Sequence, residues 1–128
     1  MQGFVMTDDF VGFTFLTESD APTWYLKAGE VIFKEGDSAA EFYVIKSGQV
    51  EIRLGNRLLD SLETNDIFGE MALIDSAPRS ASAVAKTDAA IVPISKKQFL
   101  LLVSRAPSFA LDVMGVLARR LRTTNYAI

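Results

Sequence analysis

Two short segments near the middle of the chain carry the residues whose types and spacing could bind a charged small molecule. Residues 68–73 place a glycine and an acid beside an apolar run, and residues 78–82 follow with proline, Arg79 and a small-residue run. The planar guanidinium of Arg79 can hold two phosphate oxygens at once, and nearby backbone N–H groups can add donors. Three small residues after this arginine would let a ligand approach the backbone, and the first could add a hydroxyl: Ser80, Ala81 and Ser82.

Glu70, the acid in the same segment, requires a ligand group other than the phosphate as its partner. It cannot share the phosphate, because like charges repel, but it could accept a hydrogen bond from a sugar hydroxyl, and Gly69 gives the backbone the necessary turn freedom. Two charge-assisted interactions of about 1.5–3 kcal/mol each, together with base packing, would support micromolar binding. The residues alone leave an alternative open. Glu70 and Arg79 could form a salt bridge that only ties a loop, since such pairs are common and contribute little.

Composition excludes several function classes. The chain has 128 residues, enough for one domain with a core, and a formal net charge of −3. An acidic domain lacks the basic face that nucleic acid binding requires, so we predict no direct nucleic acid binding. The sequence contains no histidine and no cysteine. The commonest general base and metal ligands are therefore missing, and we predict no catalytic residue, no metal, no cofactor and no enzymatic activity.

The hydropathy pattern contains no membrane segment. The longest purely apolar run spans residues 99–103, far below the roughly 18 residues of a membrane-spanning helix. The N-terminus also lacks the basic start and apolar block of a signal peptide. We therefore expect a soluble protein with a cytoplasmic location.

The part of the chain between residues 23 and 94 consists of short apolar stretches separated by glycine and Asp/Asn turns. Residues 50–54 alternate between apolar and polar, which is typical of a half-buried strand, and the Gly55-Asn56 pair that follows predicts a two-residue hairpin. Many short strands at close spacing indicate a mainly β domain, built as a sandwich, roll or barrel. Residues 1–22 fit neither a strand nor a helix pattern and are assigned as an N-terminal segment of uncertain structure.

The last third of the chain predicts two helices, at about residues 95–103 and 107–125. Ser95 and Gln98 have the spacing of a capping box before the apolar run of the first helix. In the second helix, one seam repeats with heptad-like spacing: Ala110, Met114, Leu117, Leu121 and Thr124. A terminal helix commonly packs such a seam onto its own sheet. Here a second apolar ridge could pack on the sheet instead: Phe109, Val113 and Val116. We therefore predict that the chain forms a homodimer through the first seam.

Two motifs, in order along the chain, resemble the signatures of the cyclic nucleotide-binding domain family. Residues 68–82 are similar to its phosphate-binding cassette: Phe-Gly-Glu, an aliphatic residue, a small residue, leucine, a variable loop and Arg-x-Ala-Ser. Residues 32–48 are similar to a second pattern of spaced glycines and apolar residues, although Phe33 is bulkier than the usual residue. The resemblance covers about residues 26–125. It implies an antiparallel β-roll, also called a double-stranded β-helix or jelly roll, closed by C-terminal helices.

The resemblance also implies roles for individual residues. Glu70 would bind the ribose 2′-hydroxyl, Arg79 would bind the cyclic phosphate, and Ser80 with neighbouring backbone amides would assist. Further residues would line the pocket: Gly69, Met71, Ala72 and Ala81. The domain would occupy residues 23–128, with the roll in residues 23–94.

The final helix is similar to that of the bacterial catabolite-activator group. The similarity implies that Thr124 reaches the adenine amino group, that Asn125 reaches the ligand of a partner subunit, and that Arg120 contacts the ribose-binding glutamate. The chain ends at Ile128, where a helix-turn-helix domain would follow in that group. We therefore expect the binding domain without a DNA-binding domain.

Three functional hypotheses follow from the sequence. The first is a regulatory domain that binds and senses cAMP, with the C-terminal helix closing over the base. The second keeps the same fold but prefers cGMP, since a hydroxyl at Ser80 is compatible with either nucleotide. The third is a roll that binds no ligand and serves only as a dimerisation module.

Overall fold

The computed structural model describes residues 21–123, except for the side chains of residues 72, 73 and 123. The N-terminal segment predicted at residues 1–22 lies almost wholly outside the described residues, and so do the predicted base contacts Thr124 and Asn125. Residues 21–123 contain eight antiparallel strands: β1 (Trp24–Leu26), β2 (Val31–Phe33), β3 (Glu41–Ser47), β4 (Val50–Leu54), β5 (Arg57–Leu62), β6 (Ile67–Phe68), β7 (Ser82–Ala85) and β8 (Ala89–Ser95).

The strands form two four-stranded sheets with the orders β1-β8-β3-β6 and β2-β7-β4-β5. Neighbours within each sheet are often distant along the chain, which is the connectivity of a roll rather than of a meander. The predicted antiparallel β-roll is confirmed. The hairpin between β4 and β5 pairs Leu54 with Arg57 across the two-residue turn at Gly55-Asn56, and Gly55 has a φ of 62°.

Strand β3 explains why four consecutive apolar residues occur in the middle of a sheet protein. Phe42 and Val44 face one side of the sheet, where they pack against the helices, whereas Tyr43 and Ile45 face the second sheet. Both faces of this strand are therefore covered, and the sequence shows a continuous apolar run instead of alternation. Gly48, which follows the strand, has a φ of 88°, and a Cβ there would lie 2.3 Å from the Asp88 carbonyl oxygen.

Two helices cover the outer face of the β1-β8-β3-β6 sheet. Helix α1 (Lys96–Arg105) begins at a capping box, in which the Ser95 side chain accepts from the Gln98 N–H and the Gln98 side chain accepts from the Ser95 N–H. Helix α2 (Ser108–Thr123) begins one residue after Pro107. The sequence predicted helices at about 95–103 and 107–125.

The two apolar faces of α2 have different environments. The ridge of Phe109, Val113 and Val116 is buried at 2–5% exposure against β3 and β8. On the other seam, Met114 and Leu121 are 58% and 63% exposed. The first ridge therefore holds the helix on the roll, whereas the second is accessible at Met114 and Leu121 and partly buried at Ala110 and Leu117, the latter packing against the core. Among the described residues, no helix is long and apolar enough to cross a membrane, and no cluster of acidic residues has metal-binding geometry.

Candidate ligand-binding site

A cavity of about 270 Å³ opens between the β4–β5 hairpin, the segment after β6 and the segment before β7. Its volume is close to the lower end of the range for small-molecule sites, roughly 300–1,000 Å³. Most of its wall is apolar, formed by Phe33, Ile52, Leu54, Leu59, Phe68 and Ala81. The charged side chains on the wall are Arg57, Glu70, Asp75, Arg79 and Arg120. An apolar cavity with a few convergent charges is typical of a site for a charged organic ligand.

The side chain of Arg79 is buried at 7% exposure on this wall. Its Nη1 donates to the Gly69 carbonyl oxygen at 3.0 Å, and its Nη2 donates to the Glu41 carbonyl oxygen at 2.6 Å. The guanidinium lies over the Phe33 ring, with Cζ 4.1 Å from the ring centroid. Its Nε has no hydrogen-bond partner and is the one such buried side-chain nitrogen or oxygen among the described residues. A buried cation with an unused donor can bind an anion, because a charge-bearing donor without an acceptor is costly.

Gly69 makes this placement of Arg79 possible. The residue has a φ of 78° and precedes a 3₁₀ helix (Glu70–Leu73), so the chain turns sharply where it meets the arginine. A Cβ at this position would lie 2.8 Å from Arg79 Nη1. Glycine is therefore required both by the left-handed backbone and by the closeness of the guanidinium.

We predict that Gly69→Ala lowers the free energy of unfolding by about 1–3 kcal/mol, because it adds backbone strain. It should also weaken ligand binding by roughly tenfold, or about 1.4 kcal/mol, because the new methyl group displaces the Arg79 guanidinium. Urea unfolding and a ligand titration check the two effects. Gly29→Ala is the matched control, because Gly29 has a φ of 92° but no atom within 4 Å of the added Cβ. Equal ligand affinity in both variants would contradict the steric argument.

Glu70 is buried at 4% exposure and pairs with Arg120 rather than with Arg79. Arg120 Nη1 donates to Glu70 Oε1, and Arg120 Nη2 donates to the Ile67 carbonyl oxygen. The alternative of a Glu70–Arg79 salt bridge is therefore not what the structure contains. Instead, the contact suggested between Arg120 and Glu70 is present, and it ties helix α2 to the wall of the cavity.

We predict that Glu70 and Arg120 are energetically coupled. In a double-mutant cycle of Glu70→Gln and Arg120→Met, we expect a coupling of about 1–3 kcal/mol in unfolding free energy, because each single change leaves a largely buried charge without its partner. Arg122→Met, an exposed change on the same helix, serves as the control and should show no coupling to Glu70→Gln. Additive effects of the Glu70 and Arg120 changes would contradict the pairing.

The charges of the two site arginines reach neighbouring titratable groups. Burial raises the pKa of the Tyr43 hydroxyl, and the charge of Arg79 opposes part of that rise. Burial likewise raises the pKa of the Asp66 carboxyl, while the hydrogen bond from the Glu63 backbone and the charge of Arg120 act against it.

The remaining residues predicted for the site fall into two groups. Met71, Ser80 and Ala81 line the cavity, Met71 being 50% and Ala81 8% exposed. Ala72 lies in the 3₁₀ helix, and its side chain is outside the described part of the structure, as are Thr124 and Asn125. Sequence reasoning missed several wall residues, chiefly Phe33, Arg57 and Leu59. Phe33 had a signal, because its unusual bulk within the second motif marks the position that lies under Arg79.

Comparison with known proteins identifies the family to which this geometry belongs. Residues 23–106 match the family model of the cyclic nucleotide-binding domain. The chain belongs to this family. The match begins just before β1 and ends just after helix α1, and it contains both sequence motifs and most of the cavity wall.

Relatives of this cyclic nucleotide-binding domain include proteins named for either nucleotide. The cyclic AMP receptor protein of Thermus thermophilus is 39% identical over a 102-residue alignment, and the match covers 76% of this chain and 47% of that protein. A crystal structure of the Thermus thermophilus catabolite activator protein has a TM-score of 0.76 at 34% identity, covering 88% of this chain and 55% of that one. A cGMP-dependent protein kinase of Plasmodium berghei is 44% identical over 70 residues, 55% of this chain and 8% of the kinase. The chain spans about half the length of the first curated relatives it matches.

Proposed function

We propose that this domain binds a 3′,5′-cyclic nucleotide, with cAMP preferred, and acts as a sensing module rather than as an enzyme. The observation that carries the proposal is the buried guanidinium of Arg79, whose Nε has no partner and which lines an apolar cavity. A cyclic phosphate would supply the missing acceptor. The sequence similarity to a cyclic AMP receptor protein supports cAMP as the preferred ligand.

Each part of such a ligand has a chemically matched part of the wall. Arg79 would hold the phosphate with Nε and a remaining Nη proton, while Ser80 and the backbone beside Ala81 add donors. Glu70 would accept a hydrogen bond from the ribose 2′-hydroxyl. The purine faces would pack on the apolar side chains of β4 and β5. By family resemblance, Thr124 would contact the adenine amino group, and Asn125 would contact the ligand of the partner subunit. Two charge-assisted contacts of about 1.5–3 kcal/mol each, with base burial, correspond to micromolar affinity.

The signal would pass through the contact between Glu70 and Arg120. A ligand that engages Glu70 interacts with the same carboxylate that Arg120 contacts from helix α2. Binding would therefore favour those positions of α2 in which Arg120 and the ribose can both be accommodated. This is a shift between conformations, driven by the difference in ligand affinity between them.

A thermal melt with added nucleotide tests the function. Saturating cAMP should raise the melting temperature, because a ligand at 100 times its Kd adds about 2.7 kcal/mol to the stability of the native state. cGMP should do so less strongly, and 5′-AMP, which has the same base and sugar but an open phosphate, should have little effect. If neither cyclic nucleotide raises the melting temperature, the proposed function is wrong, and the dimerisation module remains as the alternative hypothesis.

The accessible seam on helix α2 favours assembly into a homodimer. Met114 and Leu121 expose much of their apolar surface there, while the opposite ridge is already used by the roll. A second copy of the helix would bury this seam in a coiled-coil contact. We propose a cytoplasmic homodimer that binds cyclic nucleotide and makes no direct contact with nucleic acid through this domain. Mass measurement by light scattering tests the dimer.

A further inference from the structure

The guanidinium of Arg79 is held in the cavity wall by neutral groups. Its hydrogen bonds go to the carbonyl oxygens of Gly69 and Glu41, and its Cζ lies 4.1 Å from the centroid of the Phe33 ring. Within residues 21–123, no carboxylate forms an ion pair with this arginine. A carboxylate would neutralise the cation and compete with an anionic ligand, whereas carbonyl oxygens and a ring face leave its charge in place. The full charge of Arg79 is therefore available to a ligand.

The chain segment that begins at Phe33 fixes the backbone of Arg79. Phe33 ends β2 and pairs with Ala83 of β7. In the turn that follows, the Gly36 N–H donates to the Arg79 carbonyl oxygen, and the Arg79 N–H donates to the Asp37 carbonyl oxygen, both at 2.8 Å. These bonds hold the backbone only. The long side chain loses much rotamer freedom in the wall, so further contacts must hold the guanidinium there.

Phe33 is itself fixed by two neighbouring rings. Its ring centroid lies 6.0 Å from that of Tyr43 and 6.1 Å from that of Phe68, and the Tyr43 and Phe68 rings stack at 5.1 Å. The three side chains are buried, at 9% exposure for Phe33, 4% for Tyr43 and 1% for Phe68. The ring under Arg79 is therefore held in a fixed orientation in a largely desolvated site. A cation–π contact is stronger in such a site than at the surface.

We propose that Phe33 is a positioning residue for Arg79, and that its ring face keeps the guanidinium in the place where it binds the anionic part of the ligand. The proposal rests on the proposed function of cyclic nucleotide binding. The ring stabilises this position although Nε has no acceptor there. Without the ring, the guanidinium can move to positions where Nε donates to water. Only the fraction of molecules with Arg79 in place then binds, and the apparent Kd rises by the inverse of that fraction.

A fluorinated series at position 33 tests this role with little change in the shape of the core. Fluorine atoms withdraw electrons from the ring face, which weakens a cation–π contact while the ring stays nearly the same size. Titration calorimetry with cAMP should give a Kd that rises with each fluorine, to about three- to tenfold above the wild type for 3,4,5-trifluorophenylalanine in place of Phe33. Phe33→Leu, which removes the ring, should raise the Kd by at least about tenfold.

The same fluorinated residue in place of Phe42 is the control. Phe42 is also buried, at 0% exposure, but it packs against the helices on the other side of β3 and does not line the cavity. Its fluorination should leave the Kd for cAMP unchanged. A melt of each unliganded variant establishes that the proteins being compared are folded.

Three results would overturn the assignment. An unchanged Kd across the Phe33 series would mean that the ring only fills space. A lower Kd would mean that the ring face contacts the anionic ligand itself, because electron withdrawal strengthens that contact. An equal rise for Phe33 and Phe42 would mean that fluorine acts through the fold as a whole. A wild type that binds no cyclic nucleotide is a different result, because it overturns the proposed function and the role of Phe33 with it.

Discussion

Replacing Arg79 by alanine is expected to weaken cyclic nucleotide binding by at least about 100-fold. The change removes a bidentate phosphate contact, in which two charge-assisted bonds contribute about 1.5–3 kcal/mol each, and every 1.4 kcal/mol is a tenfold change in Kd. Titration calorimetry with cAMP measures the loss. The truncation also removes the donors to the Gly69 and Glu41 carbonyl oxygens, so a melt of the unliganded variant must accompany the titration.

Two further variants separate the geometry of this contact from its charge. Arg79→Lys retains the positive charge but lacks the planar fork and the stacking on Phe33, so we expect intermediate affinity. Arg53→Ala removes a cation that is paired with Glu51 and does not line the cavity, and it should bind cAMP like the wild type. If the folded Arg79→Ala protein binds cAMP within about threefold of the wild type, Arg79 is not the phosphate ligand.

The largest loss of stability is expected for Phe109→Ala. This ring is 2% exposed, packs with Phe42 and Val92, and lies 5.7 Å from the Phe99 ring between centroids. Truncation leaves a cavity between helix α2 and the sheet, and the usual cost for a buried phenylalanine is about 3–5 kcal/mol. Urea unfolding measures it. Since the same helix carries Arg120 to Glu70, the variant should also lose some ligand affinity.

The control for this change lies on the same helix. Leu111 is 68% exposed, and Leu111→Ala should change the unfolding free energy by no more than about 0.5 kcal/mol. A Phe109→Ala protein about as stable as Leu111→Ala would contradict the packing of α2 against the roll. Such a result would also remove the physical basis for transmitting a signal through this helix.

Local signals in the sequence were sufficient for most of the fold. The alternation of residues 50–54 and the Gly55-Asn56 turn predict a hairpin that the structure contains, and the capping box at Ser95 marks the start of α1. The buried ridge of α2 follows from helical spacing alone. These features were readable because each depends on residues close together in the chain.

Features that depend on contacts between distant segments could not be predicted from the sequence. Strand β6 has only two residues, too few to show a period, and it exists because Ile67 and Phe68 pair with β3. Charge alone left Glu70 undecided between a ligand and Arg79. Its partner, Arg120, is 50 residues away and was suggested only by resemblance to a family. The position of Arg57 on the cavity wall likewise depends on how three strands align.

The central claim is that the cavity binds a cyclic nucleotide through Arg79 and Glu70. The most direct measurement is a calorimetric titration of the wild-type domain with cAMP, with 5′-AMP titrated in parallel. We predict one site per chain with a Kd of roughly micromolar or tighter, as expected for two charge-assisted contacts with base burial, and weaker binding of 5′-AMP, because its open phosphate is not held in a fixed position relative to the ribose 2′-hydroxyl. A folded domain that shows no binding heat with millimolar cAMP or cGMP would contradict the claim.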